Sequence, residues 1–240
     1  MSEVAPPRIS TSFGRTMGRK PKGLDLNSIG EAWDLVKSDL PTWIPLATAA
    51  LFLTGGILLI GDFIIESAIY GTVFNTDGST QLQQIEESLL GLIPLLLVGI
   101  FASSLMYMGA KQARHEQVQF RSLFAGFQCL LPLLIAGIAV VGFIALGSVI
   151  LIVPGLYLCG CLCFVPILVI DQKMRPLAAI KTSYNTMRPY AWSMFGLLAV
   201  ASIVLVGGFF VIGVGVLFTL PIFLVTIGIA YNEFFPHGST

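Results

Sequence analysis

The stretch that decides the fold runs from Ser122 to Ile170 and reads SLFAGFQCLLPLLIAGIAVVGFIALGSVILIVPGLYLCGCLCFVPILVI. It holds 49 residues without a single Asp, Glu, Lys or Arg. One helix of that length would far exceed a hydrocarbon core of roughly 30 Å, because each helical residue adds about 1.5 Å. The stretch therefore predicts two membrane-spanning helices joined by a tight turn. The residues that favour a turn are Gly147, Ser148, Pro154 and Gly155.

Three further stretches lack charge in the same way. Leu40–Gly61 and Ser88–Ala110 hold 22 and 23 uncharged residues, and each fits one spanning helix. Pro189–Asn232 holds 44 and predicts a second helical hairpin, with four glycines near its middle at 207, 208, 213 and 215. The sequence thus predicts an all-α polytopic bundle of six transmembrane helices, near 43–64, 89–111, 129–149, 154–171, 190–210 and 214–233.

The composition of the whole chain agrees with a bilayer environment. Of its 240 residues, 55% are hydrophobic and only 11% are charged, whereas about 25% are charged in an average soluble domain. So few charges cannot cover a surface that faces water. The composition therefore excludes an ordinary soluble enzyme, a disordered protein and a nucleic-acid-binding protein.

The charged residues predict how the bundle is oriented. With six spans, all 13 Lys and Arg residues fall on the side of the two termini, and the opposite side carries only acidic residues. Those acidic residues are Asp62, Glu66, Asp77, Glu86 and Glu87. Short loops rich in Lys and Arg stay in the cytoplasm, so both termini are predicted to be cytoplasmic.

Three regions follow from this layout. Residues 1–23 carry five Lys or Arg residues with no apolar core directly after them, which predicts a disordered basic cytoplasmic tail rather than a signal peptide. Residues 24–234 form the predicted six-helix membrane domain. Residues 235–240 form a short cytoplasmic C-terminus.

A threefold tandem repeat is predicted from apolar positions that precede each pair of spans. They match at offsets of 91 and 60: Ile29, Trp33, Val36 and Pro41; then Phe120, Phe124, Phe127 and Pro132; then Ile180, Tyr184, Met187 and Trp192. Spacing of i, i+4 and i+7 places them on one helix face. Each unit is predicted to be an amphipathic helix followed by two spans. The helix either lies in the membrane interface or packs beneath the bundle, and coincidental spacing is the third alternative.

The same region resembles a known family. Its features are Val153-Pro154-Gly155-Leu156-Tyr157, Phe164–Asp171 with Pro166 inside it, Ala178–Tyr184, and Trp192. Over roughly residues 110–233 the chain resembles the membrane domain of some glycerophosphoryl diester phosphodiesterases, and stand-alone bacterial inner-membrane proteins. The resemblance implies a fold and a location in the bacterial cytoplasmic membrane. It carries over no catalytic residue, because the catalytic domain of those enzymes is a separate soluble barrel.

The strongest candidate site is a set of basic residues between spans four and five. Lys173, Arg175, Lys181 and Arg188 would match the phosphate of an anionic lipid headgroup. Asp171 closes span four beside them. It is predicted to cap the helix end or to pair with Lys173 and Arg175.

Two other candidates carry less specific chemistry. Asp62 and Glu66 lie one helical turn apart and could couple to an ion, and with Glu86 and Glu87 they could bind a divalent ion in a membrane enzyme. They are expected in a hydrated helix extension beside the loop 75–87. Cys159, Cys161 and Cys163 have spacing that sets only the first and last on one helix face, so apolar packing is predicted rather than a metal or redox site.

These observations predict a non-enzymatic integral membrane protein that organises lipid or partner proteins at the cytoplasmic face. No cofactor, metal or nucleic acid is expected. The partners expected are membrane lipids, and a second copy or another membrane protein is a further candidate. The alternative is a small transporter or channel, because repeats and helices broken by Pro or Gly often line transport sites.

Overall fold

The computed structural model describes residues 24–25, 27–73, 80–210 and 215–235, with side chains for these residues except 65–93 and Ile150. Over this part of the chain it is helical, without strands. The predicted basic tail, 1–23, and residues 236–240 lie outside it. The helices are α1 (Asn27–Ser38), α2 (Leu40–Val73), α3 (Thr80–Ala113), α4 (Ala125–Gln128), α5 (Leu130–Ile150), α6 (Ile152–Leu162), α7 (Val165–Asp171), α8 (Pro176–Met187), α9 (Ala191–Phe210) and α10 (Val216–Phe234), with 3-10 helices at Phe120–Phe124 and Arg188–Tyr190.

The predicted number of spans is confirmed among the residues that the structure describes. Six helical segments are long and apolar enough to cross a membrane. They are Leu40–Ile64, Pro94–Ala113, Leu130–Val149, Ile152–Asp171, Pro176–Phe210 and Val216–Phe234. Over its described residues the chain therefore has the all-helical architecture of a multi-pass membrane protein.

The first hairpin turns at a single residue. Leu151 is extended, with φ −159° and ψ 140°, and it separates α5 from α6. The glycines predicted as turn residues instead allow these helices to approach closely. A Cβ atom on Gly147 would meet the backbone of Gly155, and a Cβ atom on Gly155 would collide with Ser148. The glycines of this hairpin are thus a packing feature.

Helices α2 and α3 extend beyond the length of a bilayer span. Each has 34 residues, and about 20 suffice to cross the hydrocarbon core. Asp62 and Glu66 lie within α2, in the predicted helix extension. The expected loop 75–87 is wrong over most of its length, because α3 begins at Thr80 and includes Glu86 and Glu87.

The six spans form an inner and an outer set. In the spans formed by α3, by α6 with α7, and by α10, the buried share is 44%, 50% and 50%. In the spans supplied by α2, by α5 and by the stretch Pro176–Phe210, which contains α9 as well as α8, it is 17%, 17% and 22%. The second span of each hairpin therefore supplies the core, and the first span presents apolar side chains outward, where lipid is their natural environment.

The core is densest where α3 and α10 cross. A Cβ atom on Gly109 would collide with the backbone of Leu224, and one on Gly228 would collide with the backbone of Gly109. Small residues at such crossings let helix backbones approach in membranes. Beside the crossing, the ring of Phe164 packs edge-on against Tyr231, with centroids 5.7 Å apart.

The predicted amphipathic segments α1 and α8 pack on the bundle through one small-residue pair each, followed by a larger apolar side chain. In α1, Ser28, Ala32 and Val36 are buried, whereas Trp33 is 40% exposed. In α8 the buried residues are Ala179, Ser183 and Met187. The middle segment is not one helix, since a 3-10 helix precedes the single turn of α4, and Phe120, Phe124 and Phe127 are exposed.

Each of these segments contacts an inner helix from another hairpin. Helix α1 packs against α10, the 3-10 helix and α4 pack against α3, and α8 packs against α6 and α7. Two hydrogen bonds hold two of these segments, the middle one and α8, against their inner helices. The Gly126 N–H donates to Ser104 Oγ over 2.9 Å, and Ser183 Oγ donates to the Cys161 carbonyl over 2.7 Å.

Candidate functional site

A buried polar cluster joins the C-terminal ends of the three inner helices. Asp171, at the end of α7, accepts hydrogen bonds from Arg114 Nη2 and from Tyr231 Oη, each over 2.8 Å. Only 2% of the Asp171 side chain and 13% of the Arg114 side chain are exposed. The charge of the carboxylate is therefore compensated inside the protein, as a buried charge requires.

Further contacts complete this cluster around the guanidinium group. Arg114 Nε donates to Asn232 Oδ1 over 2.8 Å, and Asn232 Nδ2 donates to the Ala110 carbonyl over 2.9 Å. Glu116 lies 3.5 Å from Arg114 Nη1. Because the donors and acceptors already satisfy one another, the cluster is suited to joining helices rather than to binding a ligand.

The predicted partners of Asp171 are wrong. Lys173 and Arg175 are exposed and lie in the connection to α8, where Lys173 turns the chain with φ 49°. Asp171 faces inward instead, towards α3 and α10, so its cation is Arg114. The neighbours in sequence are exposed, and the true partner directly follows α3, 57 residues earlier in the chain.

The four predicted headgroup residues are all exposed. Lys173 and Arg175 precede α8, Lys181 lies in its middle, and Arg188 begins the 3-10 helix that follows it. None of the four forms an ion pair with a residue that the structure describes, since the ion pairs there involve only Lys111, Arg114, Glu116 and Asp171. No acidic residue occurs between Gln172 and Asn232. Among the described residues, no ion pair therefore compensates the positive charge of this segment.

Of the two ion-coupling candidates, the structure describes the side chain of Asp62 only. Asp62 is exposed near the end of the apolar part of α2. Glu66 lies one turn further along the same helix, and its side chain is outside the described part. A joint role for the two carboxylates stays a prediction.

The three neighbouring cysteines are free thiols. Cys161 is buried, and Cys159 and Cys163 are half-buried. The Cys163 thiol lies 3.4 Å from the Gly160 carbonyl, within its own helical turn. Among the described side chains, no three His, Cys, Asp or Glu residues converge in a way that could hold a metal ion.

Sequence reasoning missed Arg114, Tyr231 and Asn232 as a cluster. Arg114 entered only as one of the charges that orient the chain, and the other two residues close the last apolar stretch. Their one sequence signal is their position, because polar residues that end an apolar helix lie at the level where spans can be joined by hydrogen bonds.

Comparison with known proteins adds no relatives. No protein family, curated protein or solved structure matches the chain. The resemblance to the membrane domain of glycerophosphoryl diester phosphodiesterases therefore stays a prediction.

Proposed function

We propose that this chain is a non-enzymatic protein of the bacterial cytoplasmic membrane that organises anionic lipid, or partner proteins, at its cytoplasmic face. The observation that carries the proposal is the segment 173–188. It follows a membrane span, holds four exposed cations without an ion pair to any described residue, and contains no acidic residue. Anionic phospholipids supply the negative charge that such a surface lacks.

The orientation belongs to the same proposal. All basic residues of the chain fall on the side of the termini when six spans are counted. The positive-inside rule assigns that side to the cytoplasm. The proposed lipid contacts are therefore with the inner leaflet.

Exposed aromatic residues support a position of this face at the membrane surface. Trp33, Phe120, Phe124 and Trp192 each expose between 40% and 53% of their surface. Lys37 Nζ lies 5.0 Å from the centre of the Trp33 ring. Aromatic rings are enriched at the headgroup level of membranes, and basic residues beside them reach the phosphates.

The threefold repeat of an amphipathic segment and two spans is also part of the proposal. Its support is the pattern of helix contacts. Each amphipathic segment packs against the inner helix of a different hairpin: α1 on α10, α4 on α3 and α8 on α6. The inner helix is the second span in every hairpin. Three equivalent units would place three interfacial segments around one bundle.

A small transporter or channel has less support among the described residues. The buried hydroxyls of Ser103, Ser104 and Thr226 donate to carbonyl groups one turn earlier in their own helices. Hydroxyls bonded in this way are satisfied by their own helix and do not line a continuous polar path.

Native mass spectrometry of the protein extracted with a mixture of zwitterionic and anionic phospholipids tests the proposal. We expect anionic lipid to be retained by the wild type and to be lost when Lys173, Arg175, Lys181 and Arg188 are all changed to Gln. A matched control changes four tail cations, Arg8, Arg15, Arg19 and Lys20, to Gln and should retain the lipid. Equal retention by both quadruple variants would contradict the proposal.

A further inference from the structure

We infer that the outer face of α8 and the first turn of α9 bind the phosphate of one anionic phospholipid, with Lys181 and Arg188 contacting the phosphate and Leu177 and Trp192 contacting the acyl chains. The inference rests on the proposed function and narrows it to a specific part of the basic segment. It assigns the lipid to two of the four predicted cations.

Helical periodicity separates the two faces of α8. Ala179, Ser183 and Met187 recur every four residues and are buried against α6 and α7. Leu177 and Lys181 are likewise four residues apart, two positions before Ala179 and Ser183, so they lie on roughly the opposite side. Leu177 is 77% exposed, and Lys181 is exposed as well. An apolar side chain and a cation therefore share the outer face.

The second cation lies where α8 passes into α9. The carbonyl of Arg188 accepts a hydrogen bond from Tyr157 Oη on α6 over 3.1 Å. This contact holds the backbone of Arg188 in place while its side chain is exposed. The bundle thus positions the backbone that carries this cation.

The apolar contact beside Arg188 is also positioned by the bundle. The ring of Trp192 lies 6.2 Å from that of Tyr157 and 6.3 Å from that of Phe195, measured between centroids. Even so, 52% of Trp192 is exposed. A tryptophan held in this way presents one surface to an occupant that is apolar and adjoins water.

The occupant must combine negative charge with hydrocarbon. Lys181 and Arg188 form no ion pair with any residue in the described ranges, so an anion is favoured. Leu177 and Trp192 favour hydrocarbon. A free phosphate satisfies only the first requirement, whereas an anionic phospholipid satisfies both. Lys173 and Arg175, in contrast, precede the helix and lie outside this face.

The test uses the fluorescence of Trp192, which brominated lipid quenches on contact, to report lipid at the proposed site. A Trp33→Phe variant leaves Trp192 and Trp43, of which Trp43 is only 1% exposed and gives a constant background. The protein is reconstituted into vesicles of zwitterionic lipid with increasing fractions of brominated anionic lipid, or of brominated zwitterionic lipid, and tryptophan quenching is recorded. Adding Trp192→Phe identifies the part of the signal that belongs to Trp192.

We expect brominated anionic lipid to quench Trp192 at lower mole fractions than brominated zwitterionic lipid. Lys181→Gln with Arg188→Gln should reduce that preference by about fivefold for each cation removed. The matched pair Lys173→Gln with Arg175→Gln removes the same charge and should keep most of the preference.

A preference that survives Lys181→Gln with Arg188→Gln would overturn the inference. If the four-cation variant nevertheless loses anionic lipid in native mass spectrometry, the proposed function stands without this site. If the four-cation variant also retains anionic lipid, both the site and the proposed function are contradicted. Equal quenching by the two brominated lipids in the wild type would overturn the site as well.

Discussion

Asp171 joins three helices through one carboxylate. It belongs to α7, accepts from Arg114 near the end of α3, and accepts from Tyr231 near the end of α10. Its side chain is almost completely buried. Removing one member of a buried ion pair leaves the other charge without compensation, so the remaining charge governs the cost.

We expect Asp171→Asn to lower the free energy of unfolding by about 3 kcal/mol, because the buried Arg114 would face a neutral amide and keep only the exposed Glu116 as its ion-pair partner. Arg175→Gln removes an exposed charge nearby and should change it by less than about 0.5 kcal/mol. Unfolding in mixed detergent micelles, followed by circular dichroism, measures both. Equal stability of the two variants would contradict a stabilising role for the buried ion pair between Asp171 and Arg114.

This pairing lay beyond prediction from the sequence. The sequence shows Asp171 directly beside Lys173 and Arg175, and proximity along the chain favours them as partners. The choice of Arg114 depends on where α3 and α7 lie in the folded bundle, which apolar periodicity does not specify. The sequence left helix capping and pairing with Lys173 or Arg175 as alternatives, and only the fold shows that the cation is Arg114.

At the scale of the elements, the structure changes which face of each amphipathic segment is buried. Apolar periodicity selected Ile29, Trp33 and Val36, yet the buried residues of α1 are Ser28, Ala32 and Val36. In lipid an apolar side chain gains little by being buried against another helix, whereas small residues allow close packing. The hydrophobic pattern therefore predicts the segment and the burial of Val36, but it selects Ile29 and Trp33 where the neighbouring Ser28 and Ala32 are buried.

The attachment of the middle segment should depend on Ser104. Its Oγ accepts from the buried Gly126 N–H, and Ser104→Ala would leave that donor without a partner at a cost of about 1–3 kcal/mol. Ser103→Ala removes a hydroxyl that donates only to Gly99 of its own helix. We expect faster amide hydrogen exchange over residues 120–128 in the first variant and an unchanged rate in the second.

Equal exchange over these residues in both serine variants would show that the Ser104 contact does not hold the segment on α3. Increased exchange throughout the bundle would indicate general destabilisation instead. The informative result is a change confined to the 3-10 helix and α4, because those elements contain the donor.

At the scale of the whole molecule, the number of spans follows from the sequence and their arrangement does not. The length of each charge-free stretch can be compared directly with the number of helical residues that cross a bilayer. This comparison predicts six spans, and six are found among the described residues. Which helices form the core depends on close contacts such as that of Gly109 with Leu224. Glycine is frequent in both inner and outer helices, so its presence alone does not identify that crossing.

In the proposed orientation, six spans separate an acidic face from a basic face, and the basic face is cytoplasmic. Both lipid proposals depend on it, because they place the exposed cations of 173–188 against the inner leaflet. The claim rests on the distribution of 13 basic residues along the chain and on the positive-inside rule.

Labelling of single introduced cysteines in intact cells tests this claim most directly. The probe is a maleimide that does not cross membranes, and the wild type, with its own four cysteines, measures the background. We expect Asp62→Cys to be labelled in intact cells and Arg175→Cys to be labelled only after the cells are permeabilised. Labelling of Arg175→Cys in intact cells, with Asp62→Cys protected, would contradict the orientation on which the proposed function depends.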